Sequence, residues 1–112
     1  MNPFLPRVSA ILLFALAFPA LPAAAEDSFE IHIRDHRFHP DVVEVPAGRK
    51  LTLVVHNDGD DAEEFESTEL NREKIVRPGR NIKVFLPPLE PGEYRFFGEF
   101  HADTAQGRII AK

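Results

Sequence analysis

Apolar and polar residues alternate in short segments along most of this chain. The segments at 29–33 and 82–86 place an apolar residue at every second position. A period of two residues is typical of strands that bury one face. Further β-branched, apolar or aromatic runs lie at 42–45, 51–55, 93–97 and 108–111. Because Pro-Gly turns separate several runs and no helical period is sustained after residue 25, the pattern predicts an all-β sandwich or barrel.

The first 25 residues have a different character. Arg7 is followed by an almost wholly apolar run at 8–18, and Ala23-Ala24-Ala25 precedes Glu26. This arrangement predicts a secretory signal peptide cleaved before Glu26, which leaves residues 26–112 as one exported domain. The apolar run is too short for a good membrane span, so the cleaved protein is not expected to cross a membrane.

Composition excludes several classes of function. The net charge of −5 leaves no basic face for nucleic acid. The chain has no cysteine, so disulfides cannot stabilise this small domain, and a β core, a bound metal or a partner must do so. No nucleophile–base pair or phosphate-binding glycine loop is recognisable, so a hydrolase or transferase is not expected. A non-catalytic role is favoured, and enzymatic activity is left open.

Seven acidic residues and no basic residue lie between Asp58 and Glu69. Such runs are usually solvated loops. However, the negative charges repel one another, and a bound cation would relieve that repulsion. Glu64 and Glu66 are two positions apart, so their side chains point the same way in an extended chain.

A second group of polar residues lies in the loop at 98–107, between the last two predicted strands. Glu99 and His101 are again two positions apart, and Asp103 follows. A surface pair is the simpler interpretation, and metal binding is the alternative. His56, at the end of an earlier strand, could support a metal site in this region.

Two segments together resemble the cupredoxin fold, the Greek-key β-sandwich of the blue copper proteins. The first runs from Val45-Pro46-Ala47-Gly48 to His56-Asn57, and the second from Pro91-Gly92 into the His-bearing loop. The resemblance implies about seven or eight short strands. In blue copper proteins a cysteine, two histidines and usually a methionine hold the metal.

The alignment with blue copper proteins places His101 at the C-terminal histidine, Gly98 at the cysteine and Glu64 near the first histidine. Without a cysteine, the short copper–thiolate bond that defines a blue site is excluded. A histidine with carboxylates is a harder ligand set, suited to Fe, Mn, Zn or Cu(II) rather than Cu(I).

Four short motifs resemble a narrower group, the cupredoxin-like periplasmic proteins of bacterial ferrous-iron uptake systems, which act beside an iron permease. The motifs are Glu-Phe-Glu-Ser (64–67), Arg-Glu-Lys (72–74), Gly-Glu-Phe-His (98–101) and Thr-Ala-Gln-Gly (104–107). The resemblance implies a periplasmic protein that binds a transition metal ion, Cu(II) and/or iron, through Glu64, Glu66, Glu99 and His101. It further implies that the protein hands iron to the permease or assists its oxidation.

Two other functions stay open. The acidic run could dock, without metal, on a basic patch of a membrane or periplasmic partner. The protein could instead bind and traffic copper in the periplasm, although Met1, in the predicted signal peptide, is the only methionine.

Overall fold

The computed structural model describes residues 3–4, 11–13, 15, 17 and 27–112. Apart from those few positions, the predicted signal peptide (1–25) and its cleavage site before Glu26 lie outside the described residues. Within the described part of the chain, no helix has the length and apolar character needed to span a membrane.

The described residues form nine strands and one short 3₁₀ turn, with no α-helix. The strands are β1 (Asp27–Arg34), β2 (Arg37–His39), β3 (Val42–Val45), β4 (Leu51–Asn57), β5 (Glu63–Ser67), β6 (Arg72–Val76), β7 (Asn81–Leu86), β8 (Gly92–Phe97) and β9 (Gln106–Ala111). The 3₁₀ turn (Glu99–His101) lies between β8 and β9. The nine strands are one more than the seven or eight expected, and the shortest of them is the three-residue strand β2.

The strands form two sheets. The first sheet has the order β2-β1-β4-β7, and the second has the order β3-β9-β8-β5-β6. The pairs β1–β4 and β3–β9 are parallel, and the other paired strands are antiparallel. This architecture confirms the predicted all-β sandwich.

Apolar residues from both sheets fill the core between them. In β4, Leu51, Leu53 and Val55 are buried, while the intervening side chains face outward. Phe38, Phe65 and Phe96 form an aromatic group with ring centroids 4.9 to 6.3 Å apart. Phe38 connects the short strand β2 to this core, because its side chain is buried.

Candidate metal centre

His36 lies in the tight turn between β1 and β2. Asp35 and His36 both have positive φ, 51° and 57°, and Arg34 pairs with Arg37. Two central residues with positive φ characterise a type I′ turn, whose twist matches the flanking strands. A left-handed conformation is costly for residues with a Cβ, so surrounding contacts must hold it. The Thr104 hydroxyl supplies one by donating a 2.7 Å hydrogen bond to the His36 carbonyl.

Glu63 is the first residue of β5 and points into the sandwich. The preceding loop is held by Asn57, whose buried amide donates to the carbonyls of Asp61 (2.7 Å) and Val76 (2.9 Å) and accepts from Gly59 N–H (3.0 Å). These bonds fix the entry of the chain into β5. As a result, only 4% of the Glu63 side chain is exposed to solvent.

His101 ends the 3₁₀ turn in the loop between β8 and β9. Gly98 N–H donates to the Ala105 carbonyl (2.9 Å), and Ala105 N–H donates to the His101 carbonyl (2.8 Å), which closes the loop. A Cβ on Gly98 would lie only 2.9 Å from the backbone oxygen of Glu64. The loop therefore requires glycine at position 98.

His36, Glu63 and His101 meet at one end of the sandwich and are called the apex cluster below. The two carboxylate oxygens of Glu63 lie 2.7 Å from His36 Nδ1 and 3.1 Å from His101 Nδ1. The two imidazoles stack, with centroids 3.6 Å apart. The hydrogen bond that the His36 ring donates to Glu63 raises the pKa of His36, against the opposing effect of desolvation.

Four glutamates form a second group, called the carboxylate cluster: Glu64, Glu66, Glu73 and Glu99, each with an oxygen within 4.8 Å of the others. Glu66 and Glu73 are directly paired across β5 and β6. Glu64 is buried, and its Oε1 accepts a long 3.4 Å bond from Glu99 N–H. The hydrogen bond with Glu64, together with burial, raises the pKa of Glu66. Glu66 Oε2 is buried without a hydrogen-bond partner.

The structure divides the four predicted ligands between these two clusters. Glu64, Glu66 and Glu99 come together, while His101 lies in the apex cluster. Of the weaker candidates, Asp103 is exposed and belongs to neither cluster, and His56 lies on the outer face of the first sheet.

Sequence reasoning missed His36, Glu63 and Glu73. Two-residue alternation from Phe65, the only large apolar residue in the acidic run, assigns Glu63 to the inward face. A hairpin turn at 68–71 pairs position 66 with position 73. The local sequence does not place His36 beside Glu63, because this contact depends on a turn that meets a loop far along the chain.

The model of the cupredoxin-like domain matches residues 6–111. The chain belongs to the cupredoxin-like family. A relative, an uncharacterised protein of Rickettsia prowazekii (strain Madrid E), is 56% identical over 81 residues, which cover 72% of this chain. The chain spans 65% of the length of that relative.

Solved cupredoxin structures share the architecture of this cupredoxin-like domain. Auracyanin A, a blue copper protein of Chloroflexus aurantiacus, superposes with a TM-score of 0.68 over 79% of this chain and 100% of its own, at 12% identity. The metal-binding domain of the Cu(I)-exporting ATPase CopA of Streptococcus pneumoniae D39 superposes with a TM-score of 0.65 over 76% and 84%, at 14% identity. Likeness at this identity shows the fold alone.

The ligands of a blue copper site do not fit this cupredoxin-like protein. It has no cysteine, and its single methionine is Met1. A side chain at Gly98, where the family alignment expects the cysteine, would collide with the Glu64 carbonyl. The apex cluster instead offers two imidazoles and one carboxylate, a set that fits Fe, Zn or Cu(II) better than Cu(I).

Proposed function

We propose that this cupredoxin-like protein binds a transition metal ion, iron and/or copper, and serves ferrous-iron uptake in the periplasm. One observation supports the proposal that the protein binds a metal: the two carboxylate oxygens of the buried Glu63 face His36 and His101. The uptake part is supported by the resemblance of the segments at 64–67 and 98–101 to periplasmic iron-uptake proteins. In that role the protein hands iron to an iron permease.

The environment of Glu63 favours a cation. Removing a carboxylate from water costs several kcal/mol unless a positive charge compensates. In the metal-free protein a proton shared with His36 supplies that charge. The two imidazoles stack with centroids 3.6 Å apart, which places a ring nitrogen of each beside the Glu63 carboxylate. A metal ion bound by both rings and Glu63 satisfies all three groups at once.

The donor atoms select the class of metal. Two histidines and one carboxylate are the protein ligands of many non-haem Fe(II) centres, and imidazole also suits Zn and Cu(II). A bound iron or copper ion would supply one-electron redox chemistry. The chain contributes the fixed positions of its ligands, because a tight turn, a strand and a closed loop hold them.

The carboxylate cluster supports binding of iron as cargo. Hard oxygen ligands suit hard cations, so such a cluster stabilises Fe(III) relative to Fe(II). The buried, unpartnered oxygen of Glu66 and the closely spaced charges of Glu64 and Glu99 are relieved when a cation binds. We propose that these three residues, with Glu73, hold iron, while His101 contributes through the neighbouring apex cluster.

Metal titration tests the binding site. The purified protein, stripped of metal, is titrated anaerobically with Fe(II), and separately with Zn(II) as a redox-inert probe. His101→Ala should weaken binding at least about tenfold. His39→Ala, an exposed histidine on β2 outside both clusters, is the matched control and should bind as wild type does. No binding by the wild type, or equal binding by both variants, contradicts the proposed site.

The uptake role is tested separately in cells of the source organism that lack this protein. Uptake of radiolabelled Fe(II) should be restored by the wild-type gene and not by one encoding His101→Ala. Normal uptake in the deleted cells contradicts the iron-uptake role and leaves metal binding untouched. Metal-independent, salt-sensitive association with a membrane or periplasmic protein would favour the docking module instead.

A further inference from the structure

A third group of histidines and carboxylates lies on the outer face of the first sheet, away from the core. Strands β1 and β4 run parallel, and His32 pairs in register with His56. Both rings point outward, because their strand neighbours Ile31, Ile33 and Val55 are buried. The imidazoles consequently lie side by side, with centroids 4.4 Å apart and planes 8° from parallel.

Each imidazole also contacts a carboxylate. Asp58 Oδ2 lies 2.8 Å from His32 Nδ1, and Glu30 Oε1 lies 3.3 Å from His56 Nε2. Asp58 is itself anchored, since its N–H donates a 3.0 Å bond to the Ile33 carbonyl. A carboxylate that accepts from Nδ1–H fixes the ring and leaves the lone pair of Nε2 free, which is the usual arrangement around metal-binding histidines.

The spacing of the donor atoms suits a small divalent ion. Glu30, His32 and His56 each offer an atom within 4.8 Å of the other two. Two ligand atoms bound to zinc at about 2.0–2.1 Å with a tetrahedral angle are about 3.3 Å apart. The Glu30–His56 pair already has that separation, 3.3 Å. The rings are partly exposed, so His32 has room to close the remaining gap.

We propose that Glu30, His32 and His56 form a second metal site, for a divalent ion of the Zn(II) or Cu(II) class, with Asp58 orienting His32. Two nitrogens and one oxygen make a donor set of intermediate hardness, which suits these ions and leaves a coordination position for water. This strand site shares no residue with the apex cluster or the carboxylate cluster. It does not depend on the proposed role in iron uptake.

Imidazole NMR can test the strand site residue by residue, because the chain has five histidines. Zn(II) is titrated into the full metal-free protein, and the ring nitrogens are followed in the wild type and in His101→Ala. The His32 and His56 resonances should shift in both proteins, with His56 changing at Nε2. Rings of His32 and His56 that stay unshifted at saturating Zn(II) would overturn the proposal.

Affinity measurements provide the second test. In the His101→Ala background, which weakens the apex cluster, adding His56→Ala should lower the remaining Zn(II) affinity at least about tenfold. Thr52→Ala, on the same outward face of β4, is the matched control and should leave that affinity unchanged. Equal affinity with and without His56→Ala would overturn the strand site, whatever the outcome for the apex cluster.

Discussion

Glu63 and Glu64 are consecutive residues of β5, and their carboxylates belong to different clusters. The oxygens of Glu63 meet His36 and His101, while Glu64 joins the carboxylate cluster and accepts from Glu99 N–H. Successive side chains of a strand point to opposite faces, so one strand supplies both groups. Adjacent residues of β5 thus belong to the apex cluster and the carboxylate cluster, and a substitution at one of them can change one cluster without the other.

This arrangement predicts different effects for two adjacent, isosteric substitutions. Glu63→Gln should weaken Zn(II) binding at the His101 ring at least about tenfold, because it removes the carboxylate between the imidazoles. Glu64→Gln should leave the His101 ring response intact, since its side chain lies on the other face. NMR of the imidazoles during Zn(II) titration measures both, and equal effects of the two variants would contradict the assignment.

Gly98→Ala should destabilise the protein by about 1–3 kcal/mol, because the added Cβ would lie 2.9 Å from the Glu64 carbonyl and 3.1 Å from the Ala105 methyl. Gly59→Ala is the matched control, since its nearest contact would be 3.4 Å. Urea unfolding measures both.

For the same reason, Gly98→Cys should not create a blue copper site, and an intense blue colour with Cu(II) would contradict this interpretation.

Asn57→Ala should lower the free energy of unfolding by about 2–4 kcal/mol, because it leaves the Asp61 and Val76 carbonyls without their donor. Loss of those bonds also frees the loop before Glu63, so metal affinity should fall. Asn81→Ala, exposed at the start of β7, should change neither quantity. Chemical denaturation measures the change in the free energy of unfolding, and Zn(II) titration measures the change in metal affinity.

Stability of the metal-free protein should decrease from mildly acidic to alkaline pH. Folding raises the pKa of His36, mainly through the Glu63 hydrogen bond, so its contribution is complete below about pH 6.5 and is lost as pH rises through the higher folded pKa. Folding also raises the pKa of Glu66, mainly through its hydrogen bond with Glu64. Its stabilising contribution is complete below the unfolded pKa of about 4.5 and is lost as pH rises through the higher folded pKa.

Thermal unfolding of chelator-treated protein between about pH 5 and pH 8 measures this trend. His36→Asn combined with Glu66→Gln should flatten the profile, since Asn tolerates the left-handed turn and Gln retains hydrogen bonding. A double variant with the same pH profile as the wild type would show that other groups control it.

Glu66→Gln alone tests the carboxylate cluster. Removing one of four closely spaced charges should raise the melting temperature of the metal-free protein at neutral pH. The same change should lower affinity for Mn(II), a redox-inert probe of hard oxygen sites. Glu69→Gln is the control, because Glu69 lies outside the cluster and contacts the Arg95 N–H. A lower melting temperature, or unchanged Mn(II) binding, would argue against a metal site there.

The strands with regular alternation could be predicted from the sequence, and β5 could not. Residues 29–33 and 82–86 have the period of two that a half-buried strand requires. Strand β5 is rich in glutamate, which is typical of solvated loops, yet Glu63 and Glu64 are both buried. Burial of a carboxylate depends on partners contributed by distant segments, and a single local pattern does not contain them.

The assignment of ligands depended on register. The family alignment placed Glu64 near the first histidine, whereas Glu63 occupies the inward position beside His101. A shift of one residue reverses the face of every side chain in a strand. Glu66 and Glu99 nevertheless lie close to Glu64, with carboxylate oxygens within 4.8 Å of one another. The sequence therefore predicted that glutamates lie near the loop of His101, but it did not predict which glutamate contacts that ring.

Strand β9 lies between β3 and β8, so the second sheet is in two pieces until β9 is added. The loop that carries His101 connects β8 to β9 and is closed only when both strands pair. His101 therefore reaches its place in the apex cluster only when β8 and β9 have paired. A metal ion coordinated by all three residues of the apex cluster would consequently be held only by a chain whose second sheet is complete.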